Sequence, residues 1–101
     1  MIVGKVTGTV VCTQKDKGLQ GQKMLVVQPV NIENLKSSGG KMVALDSVGA
    51  GEGELVVVVG GSSARMAEGY SSTPVDYCII GIVDSIEVNG KMVVEERRGS
   101  V

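Results

Sequence analysis

Leu45–Arg65 reads LDSVGAGEGELVVVVGGSSAR: three closely spaced glycines, a run of aliphatics, then Gly-Gly-Ser-Ser before a segment with helical character. If its glycines cradle a phosphate, the chain is an α/β nucleotide-binding domain; if they only bend the backbone, it is something else. Gly49, Gly51 and Gly53 approach the dinucleotide pattern G-x-G-x-x-G, but Glu54 stands where the last glycine belongs. That pattern also follows a strand and opens a helix, whereas these glycines lead into the aliphatic run. Glu52 and Glu54 would repel a pyrophosphate. The second half, VVVVGGSSAR, has the order strand, glycines, helix but lacks the lysine of a P-loop. The stretch therefore reads as architecture, with Ser62 and Ser63 capping a short helix over Ser62–Gly69 and Arg65 placed to pair with Glu68 on its surface.

Working outward, the rest of the chain is written in strands. Ile2 to Thr13 alternates, with Ile2, Val6, Val10 and Cys12 on one face and Lys5, Thr7, Thr9 and Thr13 on the other. Gly4 and Gly8 fall on the apolar face, where a missing side chain admits a neighbouring backbone or lets the strand coil. Lys23 to Val30 is a second strand ended by Pro29, and Asn31 to Lys41 a polar loop. MVALDSV, from Met42, is a third strand, and Leu55 to Val59 a fourth, buried on both faces. Val75 to Val88 reads as one long strand, and Asn89-Gly90 as a two-residue hairpin turn returning through Lys91 to Glu96, with Val88 facing Lys91 and Ile86 facing Val93. Five or six short strands, one short helix and glycines at the bends predict a mostly β fold: a small five-stranded barrel resembling the oligonucleotide-binding type, with a C-terminal hairpin.

The composition restricts the chemistry. A chain of 101 residues is one domain, here 1–101. Its 43% hydrophobic content is generous for a chain that buries roughly 60 to 65% of its unfolded surface, so part of the apolar surface is expected against another subunit. Ten basic against eleven acidic residues leave a charge of -1, which gives no field to draw in nucleic acid or an anionic membrane. Without Phe or Trp, and with Tyr70 and Tyr77 as the sole aromatics, there is little for bases to stack on. The absence of His removes the commonest general base and metal ligand. No cofactor or metal is expected. Asp46, Glu52 and Glu54 fit no EF-hand spacing, and Asp46 is expected to accept backbone hydrogen bonds in the turn after it. Cys12 and Cys78, far apart and outside any C-x-x-C pair, are expected to be two buried thiols in a reducing cytosol, with no signal peptide ahead of them.

The order GKVTGTVVCTQK, GLQGQKMLVVQPV (with Leu19, Gly21, Lys23 and Gln28-Pro29), ALDSVGAGEGELVVV, GGSSAR and PVDYCIIGIVD resembles the EutN/CcmL family of bacterial microcompartment vertex proteins over nearly the whole chain. The resemblance implies a barrel that binds no nucleic acid. It implies a homopentamer at the corners of a cytoplasmic polyhedral shell, beside hexameric or trimeric shell proteins, with catalysis left to the cargo. It places Asp46, Gly49, Gly51, Gly53, Ser62, Ser63 and Arg65 at or near subunit contacts and the central opening. Cys12 and Cys78, where many family members carry Ala or Ser, together with the C-terminal hairpin, incline the resemblance towards the ethanolamine-utilisation branch.

Overall fold

The structure is a computed structural model that describes residues 1–13, 17–19, 21–61 and 76–95. Seven strands are present among them: β1 (Ile2–Val10), β2 (Lys23–Pro29), β3 (Met42–Asp46), β4 (Leu55–Gly60), β5 (Tyr77–Ile82), β6 (Ser85–Val88) and β7 (Lys91–Glu95), with a 3-10 turn over Lys17–Leu19. The first five close into a barrel in the order β1-β2-β3-β5-β4. All its pairings are antiparallel except β3 with β5. The helix expected over Ser62–Gly69 lies outside the described residues.

Alternation does most of the work. Val6, Leu25, Val27, Ala44, Val56, Val58 and Ile79 point inward and make the core, joined by Ala50 from the loop after β3. Every one of these side chains is aliphatic and of modest size, which is what the narrow interior of a five-stranded barrel accepts. The barrel wall also comes close to itself. A Cβ on Gly4 would lie 2.4 Å from Val27 Cγ1 and 3.0 Å from the Gln28 carbonyl oxygen, so this inward position holds glycine because β1 and β2 approach too closely for a side chain.

Closure needs irregularity, and the strands supply it. Val6 pairs with Val27 and Gly8 with Val26, leaving Thr7 as the extra residue of a bulge in β1; a second shift lies between Val57 and Val58 in the β4-β5 ladder. Bulges of this kind bend and twist the strand at a barrel corner.

Three expectations from the sequence are corrected. The segment to Val88 is two strands rather than one: Val83 N-H still donates to the Leu55 carbonyl, at 2.8 Å, and past it the chain leaves the barrel at Asp84 to form a separate two-stranded sheet of β6 and β7. In that hairpin Val88 faces Lys91 as expected, with Asn89 and Gly90 at φ 52° and 78°, but Ile86 faces Val94 and not Val93. A bulge absorbs Val93 and shifts the register by one. The third concerns the thiols. Cys78 is fully buried on β5, but Cys12 is exposed: β1 ends at Val10, and the bulge at Thr7 has already swapped its faces, so that Gly8 and Val10, expected on the same side as Val6, pair with the outward-facing Val26 and Met24.

Candidate functional site

Asp46, Gly49, Gly51 and Gly53 come together in the loop joining β3 to β4, folded over one end of the barrel; Ser62, Ser63 and Arg65 lie outside the described residues. The loop begins where Asp46, the last residue of β3, turns its carboxylate into it. Oδ1 accepts from the amides of Val48 and Gly49, both at 3.1 Å, as an Asx-type turn requires. Positive φ at Gly49 and Gly53, 78° and 89°, lets the backbone reverse twice within five residues. Between the reversals Ala50 drops into the barrel and is completely buried.

The far side of the loop is closed by Glu54, whose Oε1 accepts from Gly51 N-H at 2.7 Å while its own amide donates to the Gly51 carbonyl. Gly53 N-H donates to the Val6 carbonyl and Val6 N-H to the Glu54 carbonyl, which stitch the loop to β1. Residues distant in sequence complete it. Lys23 Nζ donates to the Ala50 carbonyl at 3.0 Å and stands 3.9 Å from Asp46 Oδ2, and Ser47 Oγ donates to the Ile79 carbonyl at 2.6 Å. The sequence did not assign Lys23 a part in this loop, nor Ser47 its bond to Ile79, since nothing local connects either pair.

This arrangement decides what the loop can do. The amides of Val48, Gly49, Gly51, Gly53 and Glu54 are all engaged within the chain, so they do not converge on a phosphate in the way a nucleotide loop does. The carboxylates of Asp46 and Glu54 are both committed to backbone donors. Burial, with a smaller contribution from the Asp46 charge, raises the Cys78 thiol above its ordinary pKa against the opposing hydrogen bond with Ser47; an activated nucleophile needs the reverse. Among the described residues no three His, Cys, Asp or Glu side chains stand together as a metal site, and no helix is long and apolar enough to cross a membrane. Two grooves border the hairpin. One, of about 180 Å³, is lined by Lys5, Val30, Leu35, Gly53, Leu55 and Val94; another, of about 230 Å³, lies between Glu33 and the hairpin's Val88, Lys91 and Val93. Both fall short of the 300 to 1,000 Å³ usual for small-molecule sites.

A barrel of this construction, with its glycine loop satisfied internally and its apolar residues spilling onto outer surfaces, defines a class of small OB-like building blocks that work through their faces. Comparison with known proteins narrows the class. The family described as "Ethanolamine utilisation protein EutN/carboxysome" matches residues 1–84, and the chain belongs to that family. The chain is 45% identical to the microcompartment shell vertex protein EutN of Salmonella typhimurium over 93 residues, which cover 92% of this chain and 93% of that one. GrpN of Rhodospirillum rubrum, also a microcompartment shell vertex protein, is 47% identical over 87 residues, 86% of this chain and 97% of its own. The solved structure of GrpN, a pentameric microcompartment shell protein, superposes with a TM-score of 0.79 at 45% identity over 87% of this chain and 99% of that one. That of CcmL from Nostoc sp. PCC 7120 gives 0.89 at 41% identity, over 95% and 100%.

Proposed function

We propose that this protein is a structural vertex subunit of a bacterial microcompartment shell, and that five copies close into a ring at each corner. The observation that carries the reading is the likeness to pentameric GrpN, which extends over 87% of this chain and 99% of that one at 45% identity. The function is geometric. A flat sheet of six-fold tiles cannot close; replacing a six-fold by a five-fold unit at a corner introduces curvature, and a wedge-shaped ring also seals the corner around enclosed enzymes. The partners are further copies of this chain and the hexameric or trimeric shell proteins that surround a vertex, and the site of action is the shell in the cytoplasm.

In this reading the loop of Asp46 to Glu54 and the segment of Ser62, Ser63 and Arg65 lie near the subunit contacts or the central opening. The support is physical: a loop braced by hydrogen bonds to Asp46, Glu54 and β1 keeps its shape when copies crowd around an axis. Gly51→Asp should weaken the ring, although its new Cβ, 3.4 Å from Glu54 Oε1, would also set a carboxylate against the one that braces the loop. Exposed Glu52 is the cleaner position, and Glu52→Trp is expected to reduce ring size without altering the fold. An unchanged ring in that variant would move the loop away from the contacts.

Native mass spectrometry, checked by sedimentation in solution, tests the function. A dominant five-membered ring that joins hexameric shell proteins on co-expression is the expected result. A monomer that binds single-stranded DNA in a salt-dependent way would overturn the reading and restore the other common use of this barrel.

A further inference from the structure

A ring of identical subunits is heterologous: each copy must carry two different patches, one offered and one receiving. The described surface contains two such patches in separate places. The first is the outer wall of β1, β2 and β3. Val26 sits between core residues Leu25 and Val27, and Val43 between Met42 and Ala44, so both point away from the interior. They pair with each other across the ladder, and Gly8 pairs with Val26 on the other side; in the next row Val10 pairs with Met24. The outer face of an antiparallel sheet is ordinarily polar, yet this one is a band of aliphatic side chains, with Val43 48% exposed. Lys5 and Lys41, both exposed, border it; the sole acidic residue of the three strands, Asp46, is turned inward and buried.

The second patch is on the hairpin, a two-stranded sheet joined by its ladder to no strand of the barrel. Such a hairpin is marginal in water unless something covers it. Its inner side, with Val88, Val93 and Val94, looks onto its own chain across the two grooves. Its outer side does not: Glu87 and Met92, a cross-strand pair, are both exposed, Met92 by 52%. An apolar residue beside an acidic one faces outward from the hairpin, and an apolar wall edged by lysines faces outward from the barrel.

We infer that the outer face of the hairpin, centred on Met92 and Glu87, docks on the β1-β2-β3 wall of the next copy, Met92 against Val26 and Val43 and Glu87 towards Lys41. This rests on the ring reading above and assigns its contact surfaces. Each copy gives one hairpin and receives one, a heterologous contact of the kind a ring repeats around its axis, and it buries both patches at once. Opposite charges at the rim set the register and the specificity more than the strength.

Two kinds of variant test it. Val43→Asp and Met92→Asp each put a charge into one side of the contact at a position that is half exposed in the subunit, and each is expected to take the ring to monomers with the far-ultraviolet circular dichroism unchanged. Because a charge on β3 could also harm folding, cysteines at the two positions provide a second reading. In a Cys12→Ser background, Val43→Cys combined with Met92→Cys should yield, under mild oxidation, a ladder of disulfide-linked species up to ring size, while either cysteine alone stays unlinked. Rings that survive both aspartates, or intact rings that fail to cross-link, overturn the docking assignment and leave the vertex reading standing. A monomeric wild type overturns both.

Discussion

Asp46 ought to be the most sensitive polar residue of the described chain. Its side chain is 1% exposed, and its carboxylate carries two backbone donors of the loop that drops Ala50 into the barrel. Hydrogen bonds to an ionised acceptor contribute about 1.5 to 3 kcal/mol each, and removing the acceptor leaves the donors unsatisfied in a covered place. The Lys23 contact adds little, since that ammonium is 53% exposed and 3.9 Å away; such pairs contribute about 0 to 1 kcal/mol. Asp46→Ala is therefore expected to cost about 3 to 5 kcal/mol. For a domain of this size that lowers Tm by roughly 15 to 30 °C. Asp46→Asn keeps an acceptor at Oδ1 but turns its amide donor towards the Lys23 ammonium, and should cost about 1 to 2 kcal/mol. Lys23→Met should cost about 1 kcal/mol or less. The assay is guanidinium unfolding at one fixed protein concentration, because the apparent stability of an oligomer depends on concentration. An Asp46→Ala protein within about 1 kcal/mol of wild type, or a Lys23→Met protein less stable than it, would refute the reasoning, since the loop would then be held by something other than the carboxylate.

Gly4→Ala should destabilise by about 1 to 3 kcal/mol, because the new methyl meets Val27 and the Gln28 carbonyl, whereas Gly8→Ala, whose Cβ would be 3.7 Å from Val26, should fold normally; equal Tm values for the two would contradict the close approach. Thr7→Val should raise stability by about 1 kcal/mol in the same unfolding assay, because the Thr7 hydroxyl is buried without a hydrogen-bond partner; a loss would mean the hydroxyl is satisfied in solution. Cys12 should react with a maleimide in the native protein at neutral pH and Cys78 only after unfolding, as read by mass; two labels on the folded chain would place Cys78 outside the core. Because the folded Cys78 pKa lies above the unfolded one, its contribution to stability is present at neutral pH and is lost as pH rises through the alkaline range beyond about 8.5, so Cys78→Ala should flatten the alkaline limb of a stability profile.

What the sequence revealed and what it hid divide along physical lines. The succession of strands along the chain, the stop at Pro29, the Asn89-Gly90 turn and the accepting carboxylate of Asp46 are all local: period-two alternation, a missing donor, positive φ, and a side chain reaching two residues along. The bulge at Thr7, the departure at Asp84 and the slip that pairs Ile86 with Val94 are set by closing a barrel and by where the chain leaves it, conditions that no window of neighbouring residues contains. Exposed Cys12 shows the same limit, since its side of the alternation means nothing once β1 has ended. Lys23 is the clearest case within the candidate site. It closes the loop from 27 residues away, and what brings its ammonium there is the β2-β3 register that sets Lys23 opposite Asp46.

That register links the loop to the wall. The same ladder that places Lys23 opposite Asp46 places Val26 opposite Val43, so a one-residue slip between β2 and β3 would unlock the loop and turn the outer aliphatics inward together. Loop and wall cannot be tuned separately. The internal bracket around Asp46 then does two jobs with one set of bonds: it plugs the barrel end with Ala50, and it holds the strand pair whose outer face meets the next copy. A subunit that must fit the same neighbour five times around an axis gains from such coupling, because a small error in register would be repeated at every contact and the ring would not close. It follows that variants which loosen the loop should lose rings before they lose the fold, and that the losses at Asp46 should show in sedimentation at denaturant concentrations where the circular dichroism is still native.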